Sequence, residues 1–200
     1  MIHEARQAVS LPPGKASKLY GTANFFEQGA FGKIGRSGLN AIKDRQYEAC
    51  SHLTLQIESS LSLLETIIAE KPERVIHLGP APCRRFVIAS DAAYENGNGT
   101  GGFLCVIQDS DGAWVRTARM VVIPQEIYKE WGNHITYIAQ LELLMVLVGL
   151  VELAPVLRGM RGVWFIDNIA ALMSLVRGRS DSEDLDAMSR IIHCALFALR

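Results

Sequence analysis

The stretch Arg85–Ala93, RFVIASDAA, joins four consecutive apolar residues to a serine and then to an aspartate. The stretch Gly162–Ala171, GVWFIDNIAA, repeats this pattern and leads into Asp167. Short apolar runs that end in polar or turn residues are typical of buried strands. A carboxylate next to a buried strand is unfavourable unless it has a partner or a function. The two stretches therefore predict two strands, each ending in a candidate functional aspartate, namely Asp91 and Asp167.

A third candidate carboxylate, Glu142, lies on a predicted helix. From Tyr137 to Leu153 the chain is apolar almost all round, which is typical of a helix buried in a core. Glu142 shares one face of this helix with Ile138 and Met145, and no lysine or arginine lies within about two turns of it. A carboxylate in that position must be protonated, paired with a base or bound to a cation.

An aspartate, a glutamate and a second aspartate together offer only hard oxygen ligands, which suit Mg²⁺ or Mn²⁺ better than zinc. Two such ions about 4 Å apart can activate a water and stabilise the leaving oxygen of a phosphodiester. Each residue also has a simpler interpretation. Asp91 could open an Asx turn, Asp167 or Asn168 could cap the following helix, and Glu142 could be a surface residue or a salt-bridge partner.

The order of predicted elements indicates a mixed α/β sheet. Three strands joined by short turns predict an antiparallel meander, with a glycine-rich turn at Glu95–Gly102 and a hairpin turn at Asp109–Gly112. The buried helix then leads to a fourth strand, Gly162–Asp167, and a helical crossover normally gives parallel pairing. Before residue 74 we predict only helices, including a long amphipathic one from about Asp44 to Glu70, followed by a linker over residues 70–85.

The residues IASDAAYENGNGTGGFLCVI, YIAQLELLMVLVGL and VWFIDNIAALMSLVRGRS resemble the motifs of the ribonuclease H fold. The match is closest to the ribonuclease H-like region of retroelement reverse transcriptases, especially the DIRS-like and pararetrovirus-like groups. The segment LPPGKASKLYGTANFFEQGAFGKIGRSGLNAIKDRQYE is similar to the helical connection that precedes ribonuclease H in such elements. The resemblance implies a connection-like segment at residues 1–75 and a ribonuclease H-like domain at residues 76–200.

The resemblance implies that Asp91, Glu142 and Asp167 bind catalytic Mg²⁺ or Mn²⁺ and that the protein hydrolyses the RNA strand of RNA–DNA hybrids. The implied partners are a hybrid or another nucleic acid, and a polymerase domain or a C-terminal extension. The sequence departs from the family because Tyr94-Glu95-Asn96 follow the first motif and because the chain ends before the last strand and helix, which in the family carry a fourth acidic residue. We therefore expect a C-terminally incomplete ribonuclease H-like domain. Enzymatic activity therefore stays an open question, and the alternative is an inactive remnant that binds nucleic acid or protein.

Four acidic residues near the C-terminal end could replace the missing fourth carboxylate: Asp181, Glu183, Asp184 and Asp186. The alternative that we prefer is a capping box formed by Ser180 and Glu183, with acidic residues in the first turn of a helix.

Overall composition limits the remaining possibilities. The formal net charge of −1 gives no global attraction to nucleic acid or to an anionic membrane. The four cysteines are widely spaced, which argues against a zinc site and indicates an intracellular protein, either cytoplasmic or nuclear. The run Tyr137–Leu157 is interrupted by Glu142 and Glu152, so we predict a buried helix and no membrane association.

Overall fold

The computed structural model describes residues 1–29, 33–71 and 83–199, and the chain divides into two compact units, Met1–Ile76 and His77–Arg200. Most of the predicted linker over residues 70–85 lies outside the described residues.

The first unit is built from helices. Its elements are α1 (Ile2–Gln7), α2 (Pro13–Gly29), a 3-10 turn (Ser37–Leu39), α3 (Asn40–Arg45) and α4 (Leu55–Glu70). Their shared core is aliphatic and is built from residues such as Leu11, Leu19, Ile42, Ile57 and Leu61. The pairing of Ser10 with His52 in a single antiparallel bridge is its one described extended contact.

The predicted helix from Asp44 to Glu70 is wrong in its first third, because α3 ends at Arg45 and α4 begins only at Leu55. The guanidinium of Arg45 is fully buried and donates to the carbonyls of Cys50 and His52, each at 2.7 Å, which requires a non-helical chain between the two helices. Thr54 then caps α4 by accepting from the N–H of Ile57 at 3.4 Å.

The second unit has four strands and three α-helices among its described residues. In chain order these are β1 (Arg85–Glu95), β2 (Asn98–Gln108), β3 (Trp114–Val122), a 3-10 helix (Gln125–Glu130), α5 (Ile138–Leu157), β4 (Arg161–Phe165), α6 (Ile169–Arg177) and α7 (Glu183–Ala198). The strands form one sheet in the order β3-β2-β1-β4.

The fold-class prediction is confirmed by the pairing of these strands. β1, β2 and β3 form an antiparallel meander, and β4 pairs with β1 in parallel over Arg85–Ala89. This is the mixed sheet that the resemblance to the ribonuclease H fold implies. The helix between β3 and β4 provides the crossover that parallel pairing requires.

Helix α5 is the centre of the second unit, as predicted. Leu143, Val146 and Leu150 pack with Ile88 and Phe103 of the sheet, and α7 adds further apolar residues to the same core. By length and composition α5 is also the one described helix that could cross a membrane, but more than half of it is buried inside the protein. Its apolar surface is therefore explained by the core that it fills.

The glycine-rich stretch predicted to be a turn is mostly strand. Only Asn96 and Gly97 form the turn, both with positive φ, and β2 begins at Asn98. A Cβ on Gly101 would collide with the side chain of Met145, so glycine here lets α5 approach the sheet closely. The prediction that β1 ends at Asp91 is also wrong, because the strand continues to Glu95. A continuous strand rules out an Asx turn at Asp91.

Candidate metal centre

The parallel register of β1 and β4 brings the two candidate aspartates together. The last pair of the ladder is Ala89 with Phe165, and two residues after these lie Asp91 and Asp167. Asp91 is still in its strand, whereas Asp167 follows the end of β4. Because side chains alternate along a strand, Asp91 lies on the face that points away from α5, and both aspartates are exposed.

The end of β4 at Phe165 leaves part of β1 without a neighbouring strand. The N–H of Ala92 lies beyond this end and bonds to two carboxylates, Asp91 Oδ1 at 2.8 Å and Glu142 Oε1 at 3.1 Å. An unpaired buried N–H is costly, so this bond fixes the glutamate where β4 would otherwise have continued. The sheet edge and the helix thus meet at one point.

Glu142 is brought to this point by α5 and is only 1% exposed. Its Oε1 accepts from Ala92, whereas its Oε2 is buried and has no hydrogen-bond partner in the described part of the chain. A buried carboxylate oxygen without a donor is unfavourable in water-free surroundings. The glutamate is therefore only half satisfied by the protein itself.

The three carboxylates converge. One ligand oxygen from each of Asp91, Glu142 and Asp167 can be chosen so that all three lie within 4.8 Å of one another. None of the ion pairs in the described ranges involves these residues. The cluster thus concentrates negative charge with no protein cation to balance it.

The electrostatics of the cluster are visible in the pKa of Glu142, which is raised to about 7. Burial is the largest cause, and the negative charges of Asp167 and Asp91 act in the same direction, whereas the N–H of Ala92 opposes them. At neutral pH the protein therefore holds a proton on this glutamate part of the time.

Of the two residues that could cap α6, Asn168 is the cap and Asp167 is not. The side chain of Asn168 accepts from the N–H of Ala171 at 3.0 Å and caps α6. Asp167 is therefore held at the end of the strand by its neighbour's cap and keeps its own carboxylate available.

A hydrogen bond below the site was not predicted from the sequence. The indole N–H of Trp164 on β4 donates to Ser90 Oγ on β1 at 2.9 Å. Ser90 comes directly before Asp91, and Trp164 lies three residues before Asp167. The bond therefore links the two stretches that carry the aspartates. Both residues lie in the two similar stretches of sequence, but their hydrogen bond can be recognised only when the parallel register of β1 and β4 is known.

The fourth-carboxylate candidates lie elsewhere. Asp184 accepts from the N–H of Gly132 at 3.3 Å and contacts His134 Nε2 at 2.6 Å, and it is not part of the carboxylate cluster. The predicted capping box is also wrong, because α7 begins at Glu183 after Ser182 and the N–H of Ser180 donates to Asp186 at 2.9 Å. The acidic first turn of α7 is thus used within the fold.

Comparisons with known proteins give little beyond the fold. No family model and no curated protein matches this chain. Among solved structures, the chain is similar to the ribonuclease H1 of the halophilic archaeon Halobacterium salinarum NRC-1, with 15% sequence identity, coverage of 57% of this chain and 77% of that chain, and a TM-score of 0.35.

Proposed function

We propose that this protein hydrolyses phosphodiester bonds with the help of divalent metal ions held by Asp91, Glu142 and Asp167. The observation that carries the proposal is the convergence of three carboxylates within 4.8 Å, none of which takes part in an ion pair with another described residue. Such a cluster is electrostatically unfavourable by itself and becomes favourable when it binds a cation.

The donor set fits Mg²⁺ or Mn²⁺. All three side chains supply oxygen atoms, which are the ligands that these ions prefer. The buried Oε2 of Glu142, which lacks a hydrogen-bond donor, is the kind of atom that a bound cation would satisfy. The two aspartates are exposed, so a bound ion would keep open positions for water and substrate.

When bound, the metal would lower the pKa of the attacking water and neutralise charge on the phosphate and the leaving oxygen. The protein's own residues have distinct tasks in this proposal. Glu142 is fixed by the N–H of Ala92, so its second oxygen keeps one direction and orients the attacking water. Asp91 and Asp167 face the solvent and would hold the metal between the protein and the phosphate that is to be cleaved.

The proposed substrate is the RNA strand of an RNA–DNA hybrid, and the proposed source is a retroelement reverse transcriptase. Both follow from the resemblance of the motifs around Asp91, Glu142 and Asp167 to the ribonuclease H-like region of such proteins. A hybrid would be recognised by its width and its A-like backbone shape, since the site offers no obvious readout of base edges. Residues 1–75 would then correspond to the connection segment, in a chain that works beside a polymerase domain.

The test is a cleavage assay with an end-labelled RNA–DNA hybrid, in Mg²⁺ and then in Mn²⁺, with single-stranded RNA and duplex DNA for comparison. We expect cleavage of the RNA strand of the hybrid that disappears in Asp91→Asn. A matched control is Glu95→Gln, which removes an exposed acid from the same strand outside the cluster. Cleavage that survives Asp91→Asn would contradict the proposed site.

A second candidate function is metal-dependent binding of nucleic acid without cleavage. Two-metal hydrolysis requires two ions at a fixed separation, and the cluster contains three carboxylates. Asp184, one of the candidates for a fourth, is bonded to His134 and Gly132 instead. Binding of hybrid and Mg²⁺ without cleavage in either metal would support this second function.

A further inference from the structure

The sheet face opposite α5 carries the same charge pattern on its two parallel strands. Along β1 this face begins at Arg85 and reaches Asp91, and along β4 it begins at Arg161 and reaches Phe165, with Asp167 two residues beyond the end of the strand. Arg85 and Arg161 are Cα partners in the ladder, just as the two aspartates are neighbours at its other end. The face is thus basic at one end and acidic at the other.

The basic end lacks a counter-ion. No ion pair in the described part of the chain involves Arg85 or Arg161, although both are exposed. Neighbouring strands lie only about 4.8 Å apart, so two guanidinium groups start from adjacent positions and repel each other. An anion bound between them would relieve this repulsion, and Arg favours phosphate through bidentate hydrogen bonds.

A third arginine strengthens the basic end. Arg116 on β3 pairs with Val106 on β2, and Val106 pairs with Val87 on β1. Val87 follows Arg85 on the same face of the sheet, so Arg116 lies on that face as well. Arg116 is also exposed and has no ion-pair partner among the described residues. The positive charge therefore extends across the sheet at this end.

The surface between the two ends contains no acidic side chain on these two strands. Its residues are Val87 and Ala89 on β1 and Val163 and Phe165 on β4, with Val163 54% and Phe165 59% exposed. Beside Asp91, an open depression of about 430 Å³ lies over Gly102, where β2 has no side chain. A sugar–phosphate backbone could follow this face from one end to the other without meeting a negative group before the metal site.

We propose that Arg85 and Arg161 form a phosphate-binding site for the same nucleic acid whose reacting phosphate lies at the three carboxylates. This inference rests on the proposed function for the second phosphate only. The arginine and the aspartate are six positions apart in each stretch, which along β1 is a distance of about 20 Å at about 3.3 Å per residue. The two phosphates are therefore about 20 Å apart along the duplex if the duplex runs along the strands.

The experiment measures binding of a fluorescent 14-base-pair RNA–DNA hybrid by anisotropy at several KCl concentrations, in Ca²⁺ so that binding is separated from cleavage. In Arg85→Gln/Arg161→Gln we expect about a tenfold weaker affinity and a salt-dependence slope that is smaller by about 2, because two phosphate contacts are lost. The charge-conserving Arg85→Lys/Arg161→Lys should keep most of the slope. The matched control is Arg119→Gln on the opposite face of the sheet, which pairs with Glu152 and should leave the slope unchanged.

A second arm locates the phosphate. A series of hybrids, each with one neutral methylphosphonate linkage, is titrated against the wild type and the double glutamine variant. We expect one sensitive linkage about 20 Å along the duplex from the cleaved position in the wild type, and we expect the variant to be indifferent to it. Thermal unfolding of each variant confirms that the fold is intact.

The proposal is overturned if the double glutamine variant keeps the wild-type salt slope, or if the sensitive linkage is equally sensitive in the variant. Hybrid binding that is unchanged, together with a concentration-dependent dimer in sedimentation that the variant loses, would show that a second copy of the chain covers this face. Failure of the proposed function has a different signature: the arginine variants still lose binding, while Asp91→Asn changes neither metal binding nor cleavage.

Discussion

Among the described residues, two ionisable side chains are completely buried, one in each unit, and their surroundings are opposite. Arg45 in the helical unit is 0% exposed, donates to the carbonyls of Cys50 and His52, and pairs with Glu48 at 3.1 Å. Glu142 in the sheet unit is 1% exposed, receives one N–H, and has two negative side chains for neighbours. The first charge is balanced by the protein and the second is not.

The presence or absence of protein partners separates a buried charge with a structural role from one with a functional role. A buried charge with its own partners holds a loop in place, as Arg45 holds the chain between α3 and α4 although its Nε has no partner. A buried charge surrounded by like charges costs stability unless something outside the protein balances it. Glu142 is therefore the better candidate for a ligand.

The largest effect is expected where the charge is structural. Arg45→Met should lower the free energy of unfolding by roughly 3–5 kcal/mol, because buried carbonyls lose their donors and Glu48 loses its partner. Urea denaturation followed by circular dichroism measures the change, with Lys43→Met on the same helix as the control. A loss below about 1 kcal/mol would mean that Arg45 is as dispensable to the fold as a surface charge.

The corresponding change at the other buried charge should affect activity and spare the fold. Glu142→Gln is expected to reduce hybrid cleavage roughly 10²–10³-fold, since the amide cannot replace a carboxylate ligand. It should also abolish the rise in melting temperature that Mg²⁺ gives the wild type, while the metal-free melting temperature stays the same or increases. A large drop in the metal-free melting temperature would make Glu142 structural, like Arg45.

The pH dependence should separate the two charges further. The pKa of Glu142 is about 7 in the folded protein against an ordinary 4.5, so the folded state binds a proton that the unfolded chain has released. The stability from this group is fully present below about pH 4.5 and is lost as the pH rises through 7, a change of roughly 1–3 kcal/mol at most. Chemical denaturation of metal-free protein between pH 5 and 8 should show the decline in the wild type and a smaller one in Glu142→Gln. Equal slopes would contradict the assignment.

The smallest effect is expected at Asp167, an exposed member of the cluster. Asp167→Asn should leave metal-free stability unchanged within about 1 kcal/mol or raise it slightly, because it removes one of three repelling charges while Asn168 keeps the helix cap. Thermal melts with and without Mg²⁺ measure this, with Asp181→Asn as an exposed acid outside the cluster. A variant that melts well below the wild type in metal-free buffer would make Asp167 structural.

Sequence patterns predicted the antiparallel meander and the parallel fourth strand because these depend on period and connection rules, whereas the grouping of the three carboxylates was implied by the resemblance to ribonuclease H motifs. Strand alternation, the helical crossover before β4 and the apolar surroundings of Glu142 are all visible in the amino-acid order. The same rules could not see where Arg45 binds, since its partners, the carbonyls of Cys50 and His52, are set by tertiary packing. The predicted helix therefore ran through a segment that has to be extended.

The roles of the glycines and of the polar contacts around α7 were likewise hidden in the sequence. The stretch Glu95–Gly102 has the composition of a turn, but Gly99 and Gly101 are strand residues that make room for α5. The contacts of Asp184 with His134 and of Trp164 with Ser90 join residues 50 and 74 positions apart, and no local pattern indicates them. Such long-range polar contacts become predictable only when the register is known.

The most direct test of the central claim is the position of a bound metal. Crystals grown or soaked with Mn²⁺ should give an anomalous difference peak among the carboxylates of Asp91, Glu142 and Asp167, with oxygen distances of about 2.0–2.6 Å. We expect one of these ligands to be Glu142 Oε2, the buried oxygen that has no donor among the described residues. A cluster that stays free of Mn²⁺ at millimolar concentration, or a peak that leaves Glu142 uncoordinated, would contradict it.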